Sequence, residues 1–231
     1  MSNDKLQYEV LSEEFTEYDL SFKIIVVGDS GVGKSCLTMK GTKNHFEDFY
    51  SPTVGFEFFT FNVRINDKNI KLQIWDTCGH EAYRSLITSF YRNASLAIIA
   101  YSIDNQHSFN NIEAWLNEIK SQANPETKIF LIGNKADLDD IRNVDKETAE
   151  KFSKAHGFNF FTETSAKTGF NAQNVFIEAA KELYLAQLEY KDRASRPGSM
   201  VPTPYHQEIS NNLVLEEEET KPRKKKGCCK N

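Results

Sequence analysis

The residues Gly28-Asp29-Ser30-Gly31-Val32-Gly33-Lys34-Ser35 fit the pattern G-x-x-x-x-G-K-[ST]. Glycines at these positions let the backbone curl until its N–H groups point inward, an anion nest at the start of a helix. Lys34 adds a positive charge for the β- and γ-phosphates of a nucleotide, and the Ser35 hydroxyl is placed to ligate Mg²⁺. A phosphate loop does not select a base. That task fits Asn134, Lys135 and Asp137 in Gly133-Asn134-Lys135-Ala136-Asp137. A fixed carboxylate at Asp137 accepts from both N1–H and the N2 amine of guanine, whereas adenine offers a bare lone pair at N1. Sites built on such hydrogen bonds discriminate by about 10⁴ or more.

Both loops need strands to hold them. Apolar runs at Phe22 to Val27, Phe56 to Ile65, Ile70 to Trp75, Leu96 to Tyr101, Lys128 to Ile132 and Asn159 to Phe161 predict six strands. The turn Asn66-Asp67-Lys68-Asn69 pairs two of them antiparallel. Helical spacing appears at Ile112, Trp115, Leu116 and Ile119, and again from Val175 to Tyr184, and Gly157 stops a segment that begins near Asp145. Strands alternating with helices predict an α/β, three-layer fold: a six-stranded, mostly parallel sheet with helices on both faces and its ligand beyond the strands' carboxyl ends.

Composition sets the outer limits. Residues 1–20 carry Asp4, Glu9, Glu13, Glu14, Glu17 and Asp19 against Lys5 alone, predicting a flexible acidic arm. Residues 21–190 form the folded domain. Residues 191–231 hold Pro197, Pro202, Pro204 and Pro222 and the run Glu216 to Glu219, and are expected to be a disordered tail. A net charge of −5 argues against a nucleic-acid binder. No stretch reaches the roughly 18 apolar residues of a membrane helix, no apolar segment follows Met1-Ser2-Asn3-Asp4-Lys5, and four cysteines fit a reducing compartment, so a cytosolic chain is expected.

The core resembles the Ras superfamily of small GTPases, and within it the Rab branch, over about Ser21 to Tyr190. The Rab likeness lies in Val54-Gly55-Phe56-Glu57-Phe58, Lys71-Leu72-Gln73-Ile74-Trp75 and Phe90-Tyr91-Arg92-Asn93-Ala94. The resemblance implies a GTP/GDP switch in vesicle trafficking. Its nucleotide set would be Asp29, Ser30, Gly31, Val32, Gly33, Lys34, Ser35, Cys36, Phe46 (stacked on guanine), Tyr50, Thr53, Gly79, Asn134, Lys135, Asp137, Ser165, Ala166 and Lys167. Ser35, Thr53 and Asp76 would hold Mg²⁺, with Thr53 and Gly79 sensing the γ-phosphate. Effectors, an exchange factor, a TBC-type activator, an escort protein and a GDP-dissociation inhibitor are the implied partners of a monomer.

Two neighbouring positions depart from the family. The residue after Gly79 is usually Gln, whose amide orients the attacking water; here it is His80. An imidazole cannot copy an amide that accepts from water while donating to phosphate, so slow intrinsic hydrolysis is expected, with His80 and Lys34 as the catalytic residues. Cys78, beside it, replaces a small Ala. The ending Arg223-Lys224-Lys225-Lys226-Gly227-Cys228-Cys229-Lys230-Asn231 is no C-a-a-X box, but resembles the Rab endings in which both cysteines receive geranylgeranyl groups. Cys228 and Cys229 would thus anchor the chain to the cytoplasmic face of an intracellular membrane, with a cytosolic pool. Two alternatives stay open: a membrane-tethered GTP-dependent scaffold with negligible hydrolysis, and an ATP-using P-loop kinase, which leaves Asn134 and Asp137 unexplained.

Overall fold

The computed structural model describes residues 6–48, 53–79 and 90–195. Its strands are β1 (Tyr8–Val10), β2 (Leu20–Val27), β3 (Phe56–Ile65), β4 (Lys68–Thr77), β5 (Leu96–Ser102), β6 (Lys128–Asn134) and β7 (Phe160–Glu163). They form one sheet in the order β1-β3-β4-β2-β5-β6-β7. β2 pairs parallel with both β4 and β5, and β6 and β7 continue the parallel run; β3 and β1 are antiparallel. The helices are α1 (Lys34–Lys43), α2 (Gln106–Asn110), α3 (Ile112–Gln122), α4 (Lys146–His156) and α5 (Ala172–Ala194), with a 3-10 helix over Ala136–Ile141.

Strand alternation divides the core. Ile24, Val26, Ile74 and Ile98 pack on one face with Leu37 of α1 and Val175, Phe176 and Ala180 of α5. Ile25, Val27, Ala97 and Ile99 pack on the other with Ile112, Trp115, Leu116 and Ile119 of α3 and Ala149 of α4. With both faces covered, a central strand must be apolar throughout, and all of β5 is buried. Local signals mark the helix ends. The Asp145 carboxylate accepts from the Thr148 N–H at 2.8 Å to start α4, and Gly157, at φ 74°, ends it.

The sheet has seven strands, one more than expected, and the extra one lies inside the supposed acidic arm. Tyr8, Glu9 and Val10 pair with Ile65, Arg64 and Val63, and Glu9 meets Arg64 at 2.8 Å. Leu6 is buried in the core, while the Asn62 amide, itself buried, donates to the carbonyls of Ser12, Glu13 and Phe15. A buried amide requires such partners, and they fix the arm. Among the described residues of the arm, Glu9, Glu13, Glu14, Glu17 and Asp19 are exposed, while the backbone from Tyr8 to Phe15 is held by these bonds. The β3–β4 turn is also tighter than expected, because Lys68 and Asn69 belong to β4.

Candidate nucleotide site

The carboxyl ends of β2, β4, β6 and β7 open onto a cleft of about 470 Å³. From β2 the chain runs through α1 to β3 and β4 on one side, and from β4 it crosses to β5 on the other side of β2, the kind of reversal where open α/β sheets bind ligands. A larger depression, about 710 Å³, lies at the strands' amino ends among Ser95, Asn124, Lys128 and Arg193. It contains neither of the two loops that carry the chemistry.

Ser30, Gly31, Gly33, Lys34 and Ser35 line the cleft where β2 turns into α1. Gly33 caps α1 at φ 86°, with no side chain capping the helix. The first-turn N–H groups of α1 therefore stay open to an anion. Glycine is required there twice over: the φ is left-handed, and a Cβ would stand 2.5 Å from Asn134 Nδ2. Gly79 has a similar reason, since a Cβ on it would meet the Asp29–Ser30 peptide at 2.5 Å. Lys34 is buried, and its Nζ donates to the carbonyls of Gly28 and Asp29 at 2.9 Å each. Burial lowers its pKa, opposed chiefly by Asp76.

Three oxygens converge behind this loop. Ser35 Oγ lies 2.7 Å from Thr53 Oγ1 and donates to Asp76 Oδ2. Asp76 is fully buried, and its Oδ1 has no hydrogen-bond partner among the described residues. Burial pushes its carboxyl up to about 7, against the pull of the Ser35 hydroxyl and Lys34. An orphaned buried carboxylate oxygen beside two hydroxyls fits a small hard cation. Mg²⁺ in particular takes few protein ligands and completes its shell with phosphate and water.

At the other end of the cleft stand Asn134, Lys135 and Asp137, facing Cys36, Phe46, Ala166 and Lys167. Asn134 Nδ2 donates to the carbonyls of Val32 (2.9 Å) and Gly33 (3.2 Å), and its Oδ1 accepts from Thr164 Oγ1 at 3.1 Å. Ser165 Oγ donates to Asp137 Oδ1 and accepts from the Thr168 N–H. The Arg142 guanidinium forks onto Glu163 at 2.6 and 3.0 Å and bonds Asp139 at 2.7 Å, tying the 3-10 helix to the end of β7. Burial, then the Asp76 charge, raises the Cys36 thiol above its ordinary value, which keeps it protonated.

Most of the expected set thus gathers around one cleft. Val32 and Ser165 are buried behind its wall, Asp76 beneath it, and the Asp29 side chain turns away toward α3. Tyr50, His80, Cys228 and Cys229 lie outside the described residues. Sequence reasoning missed Glu47, Asp48, Val54 and Cys78 as lining residues, as well as Thr164, which bonds Asn134 from beyond β7, and Arg142, which ties the 3-10 helix to Glu163. Only the position of Thr164 beside Ser165-Ala166-Lys167 offered a signal. Among family models, the Ras family model matches residues 23–185.

Proposed function

The chain belongs to the Ras family of GTP-binding switches, and on that premise we propose that it is a Rab-type small GTPase of membrane trafficking. In this reading the N–H groups of residues 30–35 and the Lys34 ammonium take the phosphates. Asp137 reads the N1–H and N2 edge of guanine, Phe46 stacks on the base, and the Ser165–Lys167 loop meets its O6. Cys36 and Tyr50 complete the nucleotide contacts. Ser35, Thr53 and Asp76 would hold Mg²⁺, which when bound neutralises phosphate charge. The observation that carries the reading is the pair of hydrogen bonds from Asn134 to Val32 and Gly33, because they join the base loop to the phosphate loop.

The Rab assignment is supported by an aromatic cluster on the β3–β4 face. The Phe56 ring centroid lies 5.2 Å from that of Trp75 and 4.6 Å from that of Phe90 in tilted contacts, and Phe58 meets Trp75 edge-on at 5.1 Å. Phe56 and Phe58 remain 47% and 49% exposed. Adjacent half-bare rings next to the nucleotide cleft are what a partner buries on binding, and an effector that senses Thr53 and Gly79 would meet them.

Turnover follows from the same groups. Water attacks the γ-phosphorus in line, the bond to the bridging oxygen breaks, and Lys34 stabilises the charge that develops. His80 orients that water imperfectly, so hydrolysis is slow until a TBC-type activator supplies what is missing. Exchange factor, escort protein and GDP-dissociation inhibitor complete the cycle. Geranylgeranyl groups on Cys228 and Cys229, with Arg223 to Lys226 against an anionic leaflet, hold the chain on the cytosolic membrane face. Mass spectrometry of the C-terminal peptide from the native protein tests the anchor: two lipidated cysteines support it, and free thiols contradict it. Titration with GTP and ATP tests the nucleotide site, and equal affinity for the two would overturn it.

A further inference from the structure

Asp29 poses a problem for a loop that receives phosphates, because it puts a carboxylate in the middle of the anion nest. The fold turns that carboxylate outward and occupies it. Asn111 Nδ2 donates to Asp29 Oδ2 at 2.7 Å, and Trp115 Nε1 donates to Asp29 Oδ1 at 2.9 Å. The donors lie 82 and 86 residues along the chain, at the start of α3.

Asn111 is the residue that begins α3, a position where Asn ordinarily caps its own helix through the side chain. Here it makes no such cap. By contrast, Asn105, which begins α2, does cap its helix, accepting from the Ser108 N–H at 3.2 Å. The Asn111 amide is spent on Asp29 and, at 3.1 Å, on His107 Nδ1. Trp115, one turn further on, is buried and delivers its single polar hydrogen to the same carboxylate. Both donors sit at the helix N-terminus, where the macrodipole favours an anion.

What hangs on Asp29 is the phosphate loop itself. Its carbonyl is one of the two that hold Lys34 Nζ, and its peptide to Ser30 is the surface against which Gly79 packs. We propose that Asn111 and Trp115 are positioning residues for nucleotide retention: acting through Asp29, they aim its charge away from the phosphates and fix the peptide that accepts from Lys34 Nζ and packs against Gly79. The start of α3 is then a place from which the grip on phosphate is set. The inference rests on the reading of Gly28–Ser35 as the phosphate site.

The test is release of N-methylanthraniloyl-GDP from the Mg²⁺-loaded full chain after addition of excess GDP. Trp115→Phe keeps the ring and removes the one donor, so release should be roughly tenfold faster, as for loss of a hydrogen bond to a charged group. Asn111→Ala should act in the same direction. On an Asp29→Ala background, which removes the acceptor, Trp115→Phe should add less than about twofold, because a coupled pair is non-additive. The chain has two tryptophans, so the Trp115 indole N–H resonance is identifiable by its loss in Trp115→Phe. It should shift between GDP-loaded and nucleotide-free protein. Release at the parent's rate in both single variants, full additivity with Asp29→Ala, or an unmoved indole resonance would each overturn the proposal. A parent chain that retains no labelled GDP would instead overturn the phosphate-site reading beneath it.

Discussion

Asn134 and Gly33 are fitted to each other: the Asn134 amide donates to the Gly33 carbonyl at 3.2 Å, and the same nitrogen stands 2.5 Å from where a Cβ on residue 33 would be. One side chain thus sets the distance between the loop that ends β6 and the loop that ends β2. In the proposed reading, base recognition and phosphate binding then share one hydrogen-bonded frame.

Asn134→Ala removes both bonds and leaves the buried Val32 carbonyl without them. An unpaired buried polar group costs about 1–3 kcal/mol, so the nucleotide-free protein should lose that much stability in urea. Affinity for GDP and GTP should fall together, at least tenfold, in calorimetric titration. A change in GTP affinity alone would mean that Asn134 acts on the γ-phosphate instead.

Arg142 should matter more than a surface ion pair. Glu163 is only 6% exposed, and Arg142 forks onto both of its oxygens. Arg142→Ala strands a buried carboxylate and should cost about 3 kcal/mol. Arg142→Met with Glu163→Leu, which removes both charges, should recover most of that loss. The check is urea denaturation of the single and double variants, and equal losses in the two would contradict the account.

Asp76 carries the opposite expectation. Its burial is a cost to the metal-free fold, because the folded carboxyl stands at about 7 against an ordinary 3.8. The folded state therefore binds the proton more tightly than the unfolded one, and metal-free stability should fall as pH rises through that window. Asp76→Asn should remove this slope and leave the nucleotide-free, metal-free protein no less stable than the parent. It should also abolish the slowing of GDP release by Mg²⁺. Thermal melts from pH 4 to 7 and release rates with and without Mg²⁺ are the measurements.

His80→Gln should speed single-turnover GTP hydrolysis without a partner by about tenfold or more, which corresponds to about 1.4 kcal/mol of better water orientation in the transition state. A variant no faster than the parent would mean that another step sets the rate.

Legibility followed the range of the interactions. The strand-loop-helix unit around Gly28–Ser35 is local, and its pattern read true because the glycines, Lys34 and Ser35 all act within a few residues. The central strands β2, β5 and β6 were visible as apolar runs because both faces of the sheet are covered there, and β4 by its alternation of buried and half-buried residues. β1 was not, since Tyr8-Glu9-Val10 is held by pairing with Val63–Ile65 and by Asn62, some fifty residues away, and charge counting sees only its outward side chains. The grip of Trp115 on Asp29 was hidden for the same reason. Trp115 falls on the apolar stripe of α3 and reads as core, which it is, while its one polar atom serves a different loop.

The most direct test of the whole account is the identity of what the native protein carries. The chain is purified gently in Mg²⁺, denatured, and the released small molecules are separated by chromatography. The account predicts about one guanine nucleotide per chain, with GTP in excess of GDP if His80 holds hydrolysis back. Adenine nucleotide, or an empty chain that takes up neither GDP nor GTP on incubation, would contradict it.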